Sequence, residues 1–252
     1  RLRIHVKADT GMSRLGWLCD EGHRTEAADA IAAVCALPGL EVEGIYTHFA
    51  NADGDEAYTM GQFTRFLELL SELEGRGITF PIRHCAASAA VLKYPCTHLD
   101  MVRPGVALYG HYPDPSCEGL DGVGLRPVMA LKTRVASVKA VPAGTPVSYG
   151  CTHVLERDAE LAALTVGYAD GLPRLCSDRL EVLIRGQRAP IVGRVCMDMC
   201  MADATGLGAA PGDEVELFGE HLPVEDTAAL AGTIQYELLC AVSPRVPREY
   251  LN

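Results

Sequence analysis

Four side chains suited to holding an anion stand at the ends of strand-like segments in the first part of this chain: Arg14, His48, Ser88 and Arg103. The run Lys7-Ala8-Asp9-Thr10-Gly11-Met12-Ser13-Arg14-Leu15-Gly16 alone supplies a cation, a carboxylate, a hydroxyl and a second cation in a loop bracketed by glycines. Two guanidiniums, an imidazole and a hydroxyl gathered on one rim would form a site for a carboxylate or phosphate. Ser88 follows Ala86-Ala87, and Gly105 precedes Val106; small residues there let backbone N–H groups approach an anion closely. Neither segment is a Walker loop or a G-x-G-x-x-G, so both read equally well as tight strand-end turns. Further on, Ser148-Tyr149-Gly150, Gly167-Tyr168-Ala169-Asp170-Gly171 and Gly193-Arg194-Val195-Cys196-Met197-Asp198 mix tyrosine or carboxylate with glycine. A phenol works as an acid or base only when a neighbour lowers its pKa from about 10. From pattern alone Tyr149 is mainly a packing residue with a wet end.

These residues need elements to carry them. Strands are predicted at Leu2 to Val6, Leu40 to Thr47, Ile78 to Cys85 and Met101 to Gly110, the last carrying Arg103-Pro104-Gly105 at its start. Between them lie two helices. Thr25 to Leu37 has Ala28, Ile31, Ala32 and Cys35 on one stripe, and the second has Phe63, Phe66, Leu67, Leu70 and Leu73 on one face. Strands alternating with helices imply a parallel sheet, and four such units amount to half of a (β/α)8 barrel, with active residues at the carboxyl ends of its strands. From about Leu125 the pattern changes to short β segments, Val128 to Val141, Ala159 to Gly167, Leu180 to Ile184, Ala189 to Met201 and Glu214 to Phe218, which predict an antiparallel domain. Two short helices, Val224 to Leu230 and Gln235 to Val242, close the chain. The fold class is therefore α/β: the second half of a TIM-type barrel over residues 1–115, then a β-rich domain over 116–252, joined through the Pro/Gly-rich stretch Tyr112 to Gly124.

The 252 residues carry a formal charge of -11 with only four lysines, Lys7, Lys93, Lys132 and Lys139, which argues against a nucleic-acid partner. No apolar run is long enough for a membrane span. The ten cysteines form no C-x-x-C pair and read as reduced, mostly buried thiols of a cytoplasmic protein, with Cys196 and Cys200 on one side of a strand. No metal site is expected.

Taken together, K-A-D-T-G-M-S-R-L-G, T-H-F-A-N-A-D, A-S-A-A, D-M-V-R-P-G-V-A-L-Y-G, V-S-Y-G, G-Y-A-D-G, G-R-V-C-M-D and T-I-Q-Y-E-L with R-V-P-R-E-Y closely resemble the alanine racemase family. The match runs in order from Lys7 to Tyr250. The resemblance implies an isomerase that uses pyridoxal 5′-phosphate to interconvert L- and D-alanine for peptidoglycan, acting as a cytoplasmic homodimer with shared active sites. It assigns Arg103 to the pyridine nitrogen of the cofactor and Ser88, Gly105, Val106 and Tyr236 to its phosphate. Tyr149 becomes the base on one face of the substrate, given by the partner's β domain, with His48 linking it to Arg103. Arg14 and the N–H of Met197 would hold the substrate carboxylate; Tyr168 and Tyr236 would narrow the entrance, and Lys7 and Asp198 would support the site. Some relatives carry a carbamylated lysine at the position of Lys7.

Ala87 stands where the family usually has Asn, and Met199 where many relatives have Gln. The Schiff-base lysine of the family lies in a V-V-K-A-N-A-Y-G-H-type motif on the first barrel strand. Nothing in this sequence matches that motif, so the resemblance places this lysine and the earlier strands in a segment outside these residues. Two other readings stay open: a serine/alanine racemase domain of a membrane-anchored resistance racemase, and a non-catalytic scaffold that keeps the fold.

Overall fold

The computed structural model describes residues 1–122 and 124–251, apart from the side chain of Asp121. Val123, within the stretch read as a linker, lies outside the described residues. Two compact units divide between Arg126 and Pro127, later than the 115/116 boundary read from composition.

The first unit contains β1 (Leu2–Asp9), β2 (Trp17–Leu18), α1 (Arg24–Cys35), β3 (Leu40–Tyr46), α2 (Glu56–Gly75), β4 (Ile82–His84) and α3 (Ser88–Lys93). Its sheet is parallel throughout, in the order β2-β1-β3-β4. Asp55 caps α2 by accepting the Tyr58 N–H at 2.8 Å. Phe66, Leu69 and Leu73 of α2 and Ile31 of α1 are fully buried beside Val6, Ala8 and Ile45 of the sheet, so the expected β/α layering is present. Leu67, expected on the inner face of α2, is exposed, and Leu69 takes the inward position.

Two strands are shorter than the sequence suggests. Pro81 has no N–H to give to a ladder, so the third regular strand is confined to Ile82–His84. The fourth shrinks to one parallel bridge, Ala87 to Arg103; Pro104 ends the pairing, and Val106–Tyr109 winds into a 3-10 turn stopped by Gly110 at φ 80°.

The second unit comprises β5 (Leu131–Val141), β6 (Pro146–Val147), β7 (His153–Val154), β8 (Ala159–Leu164), β9 (Glu181–Ile184), β10 (Gln187–Pro190), β11 (Cys200–Asp203), β12 (Glu214–Phe218), α4 (Val224–Ala231) and α5 (Gln235–Ala241). Six strands form an antiparallel sheet in the order β10-β9-β12-β5-β8-β11. An Ile191–Ala202 bridge and the Val192 N–H to Met201 C=O bond (2.9 Å) join its outer strands, which removes the open edges. The single strand expected over Ala189 to Met201 is broken instead. Gly193 turns at φ 75° and residues 193–199 form a loop, so Cys196 is partly exposed off the ladder while Cys200 is buried in β11. All ten thiols are free; Cys19, Cys85, Cys117, Cys176 and Cys200 are buried, and Cys96, Cys151 and Cys240 are exposed. No helix among the described residues is long and apolar enough to cross a membrane.

Backbone packing in the first unit is tightest at Gly44, where a Cβ would lie 2.5 Å from the Ile82 carbonyl oxygen and 2.6 Å from His5 Nδ1. Gly44→Ala is therefore expected to cost about 1–3 kcal/mol. Gly61→Ala, within α2 and with nothing inside 4 Å of the new Cβ, is expected to add roughly 0.5–1 kcal/mol. Urea midpoints of the two variants against the parent check both signs.

Candidate functional site

The first loop is folded by one carboxylate. At the end of β1, Asp9 Oδ1 accepts the N–H groups of Gly11, Met12 and Ser13, each at 3.0 Å. The resulting turn needs left-handed backbone at Gly11 (φ 139°) and Ser13 (φ 56°). It is held from outside as well. Tyr58 Oη donates to Gly11 C=O (2.6 Å), Arg65 Nη1 to Thr10 C=O (2.9 Å) and Lys7 Nζ to Leu15 C=O (2.5 Å). Arg14 extends from this framework with an exposed side chain. Burial pulls the Lys7 amine below its usual pKa, Asp9 opposes this, and the Arg14 and Arg103 cations add to the lowering.

Arg103 is the centre of the unit. Its Nη1 donates to His84 Nδ1, and its Nη2 donates to Thr47 C=O (3.0 Å), His48 Nδ1 (3.2 Å) and Cys85 C=O (3.3 Å). The guanidinium carbon lies 5.2 Å from the Tyr46 ring centre, and Tyr46 stacks on His84 with planes 3° apart. A guanidinium has donors only, so each imidazole must offer an unprotonated Nδ1 and carry its hydrogen on Nε2. His84 Nε2–H is then aimed at His5 Nδ1 (2.7 Å), and His5 Nε2 faces Glu43 Oε2 at 3.5 Å. Burial first, then the Arg103 cation and His5, push His84 down to about 4. Burial and the Arg103, Arg14 and Lys7 charges also lower His48. Both rings are neutral at pH 7. Among the described residues Arg103 Nε donates to no acceptor.

Ser88 opens α3 and is 4% exposed. Its Oγ accepts Gly105 N–H (2.8 Å) and Ala107 N–H (3.3 Å), so it is joined to the segment after Arg103. The Gly105 N–H, expected to face an anion, is however turned onto the serine. Val106 begins the 3-10 turn, whose first N–H groups have no partner within the turn.

In the second unit Tyr149 stands at the tip of the β6–β7 ribbon, 71% exposed. Ser148 Oγ donates to Arg194 C=O at 2.7 Å, which ties this tip to the 193–197 segment. That segment meets the next: Tyr168 N–H donates to Cys196 C=O (3.0 Å) and Ala169 N–H to Met197 C=O (2.8 Å). Gly167 permits the approach, since a Cβ there would lie 2.3 Å from the Cys196 carbonyl oxygen. The N–H of Met197 donates to no acceptor among the described residues. Asp170 ties the tyrosine turn to the chain's end by accepting Gly167 N–H (2.9 Å) and pairing with Arg245 (2.8 Å). Asp198 occupies an exposed position of the loop, and Tyr236 lies in the first turn of α5. Tyr149, Tyr168 and Met197 are thus carried by segments bonded to one another.

Sequence reasoning missed His5, Tyr46 and His84. The usable signal was a histidine inside each of the two parallel strands that flank β3, β1 and β4, where an imidazole shielded from water requires a partner. No group of three or more His, Cys, Asp or Glu suited to a metal occurs among the described residues.

The neutral histidines give a pH signature. Between about pH 6.5 and 4 the unfolded chain takes up a proton that buried His84 refuses, so its contribution is complete above 6.5 and lost as pH falls towards 4. The loss reaches up to about 3 kcal/mol. Chemical denaturation at pH 7 and 4.5 is expected to show that loss in the parent and a smaller one in His84→Gln.

Comparison with known proteins follows the two units. Residues 1–113 match the model of the alanine racemase N-terminal domain, and residues 128–250 that of the C-terminal domain. An alanine racemase of Desulforamulus reducens is 51% identical over all of this chain and 68% of its own length. One of Methanococcus maripaludis is 46% identical over 99% of the chain and 67% of its own length. Among solved structures, alanine racemase from Bacillus anthracis with bound L-Ala-P superposes with a TM-score of 0.92 at 35% identity, over 100% of this chain and 65% of that one. The chain therefore spans about two thirds of the length of these relatives. On sequence and structure alike, it belongs to the alanine racemase family.

Proposed function

We propose that this chain takes part in the pyridoxal 5′-phosphate-dependent interconversion of L- and D-alanine in the cytoplasm, providing D-alanine for peptidoglycan. The observation that carries the reading is Arg103, a half-buried guanidinium whose Nη1 and Nη2 are committed to His84, His48 and backbone carbonyls. Its uncommitted Nε–H suits an aromatic nitrogen acceptor. The cofactor, when bound, supplies an electron sink for the α-carbon of the amino acid. An arginine does not surrender its proton, so it keeps the ring nitrogen unprotonated and that sink weak, which limits side reactions.

The Ser88 hydroxyl proton and the N–H groups at Val106 are assigned to the cofactor phosphate, with Tyr236. Gly105 acts by ordering Ser88 rather than by direct contact. Arg14 and the Met197 N–H hold the substrate carboxylate; a guanidinium on a loop already fixed by Asp9 loses little freedom on binding. Tyr168 and Tyr236 restrict the entrance to a small side chain. Lys7 and Asp198 support the carboxylate end.

Tyr149 moves the proton on one face of the α-carbon, from the β domain of a second copy. His48, fixed by Arg103 with its hydrogen on Nε2, points a donor outward; a donor aimed at a phenol oxygen favours the deprotonated, basic form. The base on the other face is assigned to a lysine that is none of the four in this chain. Lys93 donates to Asp53 C=O, Lys132 pairs with Glu214, Lys7 is committed to the first loop, and Lys139 lies on the exposed side of β5.

Tyr149→Phe in the full-length holoenzyme is expected to lower racemisation in both directions by about 10²–10⁴, with the cofactor absorbance retained. Unchanged two-way racemisation would remove Tyr149 from the reaction.

A further inference from the structure

The turn that presents Tyr149 is strained and cannot set its own geometry. Ser148 (φ 64°), Gly150 (φ 75°) and Cys151 (φ 49°) are all left-handed within four residues. Such backbone persists only where its surroundings impose it. Beneath the tip there are just two residue pairs of ladder, Pro146 with Val154 and Val147 with His153, too few to hold a ribbon by themselves.

The restraint comes from a second turn. Asp178 Oδ1 lies 2.9 Å from His153 Nδ1, on the returning leg of the ribbon, and accepts the N–H of Gly193 at 2.5 Å. Gly193 in turn abuts the outgoing leg: a Cβ there would sit 2.8 Å from Ser148 Cβ and from the Val147 carbonyl oxygen. The next residue, Arg194, accepts the Ser148 hydroxyl at 2.7 Å through its carbonyl. Beside Asp178, Ser177 Oγ accepts the Val195 N–H at 3.0 Å. One carboxylate oxygen thus grips one leg directly and the other through the backbone it anchors.

We propose that Asp178, acting with His153, is a positioning residue for Tyr149: it locks both legs of the β6–β7 ribbon and so sets where the phenol oxygen stands. The assignment rests on the role proposed for Tyr149. Asp178 does not touch the reacting atoms, and its effect should appear on one face of the substrate only.

The test is Asp178→Ala, Asp178→Asn and Tyr149→Phe in the full-length holoenzyme, with kcat, KM and α-deuterium isotope effects measured from both L- and D-alanine. A racemase equilibrium of unity forces kcat/KM to fall equally in the two directions, so the isotope effects separate the faces. Asp178→Ala is expected to lower kcat/KM by about 10- to 100-fold, the range for a misplacement of order 1 Å. The isotope effect should rise for the enantiomer whose proton Tyr149 removes and fall towards unity for the other, with cofactor absorbance unaltered. Asp178→Asn keeps an oxygen that can accept from Gly193 and from a neutral His153, and should recover most of the loss. Should Asp178→Ala fail to fold, His153→Ala, which leaves the Asp178–Gly193 bond in place, is expected to shift the same isotope effect in the same direction.

Parent-like rates and isotope effects in Asp178→Ala, or in His153→Ala where that variant stands in, overturn the positioning role if Tyr149→Phe is inactive. A rise of both isotope effects together overturns it too. Unchanged two-way racemisation in Tyr149→Phe overturns the reading of Tyr149 itself.

Discussion

A permanently charged guanidinium is half-buried at the end of a parallel sheet, and among the described residues no carboxylate pairs with it. Desolvating a cation is costly unless its donors are satisfied. At Nη1 and Nη2 the chain meets that requirement with neutral acceptors alone: His84, His48 and the carbonyls of Thr47 and Cys85, with the face of Tyr46 alongside. The consequences spread from there. β3 and β4 must end together for Thr47, His48, His84 and Cys85 to converge, and both imidazoles must stay uncharged with Nδ1 as acceptor. The polarity then runs in one direction, from Arg103 through His84 and His5 towards Glu43, each ring passing a donor outward.

The two other organising groups are carboxylates, used in the opposite sense. Asp9 gathers three amides to shape the Arg14 loop, and Asp178 gathers an amide and an imidazole to brace the Tyr149 ribbon. In both places a short anionic side chain compensates for left-handed backbone that the local sequence would not hold alone. The closed antiparallel sheet of the second unit gives the Asp178 turn a rigid base, since its outer strands are paired with each other.

Much of this was legible in the sequence, for identifiable reasons. The inward faces of α1 and α2 follow from helical spacing, and Glu214 to Phe218 was bounded as a strand because Gly-Asp precedes it and Gly follows it. Arg14, His48 and Ser88 were found because they sit just beyond strand ends, and Arg103 because it sits at the start of the fourth strand-like segment, where side chains are free to work. Less visible were features that depend on contact between distant segments. Met101 to Gly110 reads as a strand by composition, yet Pro104 and the 3-10 turn after it leave only Arg103 in register. Ala189 to Met201 reads as one strand, yet Gly193 turns the chain out of it. His5 and His84 were passed over because each is a lone histidine in its strand, and only the parallel register brings them to 2.7 Å.

The central claim is that Arg103 dictates the protonation of the imidazoles around it. Nitrogen-15 NMR of histidine-labelled protein tests it directly, because protonated and unprotonated ring nitrogens have widely separated shifts. The account predicts that at pH 7 His48 and His84 are both neutral with the hydrogen on Nε2, and that His84 remains so down to about pH 4. A hydrogen on Nδ1 of His84, or titration of that ring near pH 6.5, would contradict it.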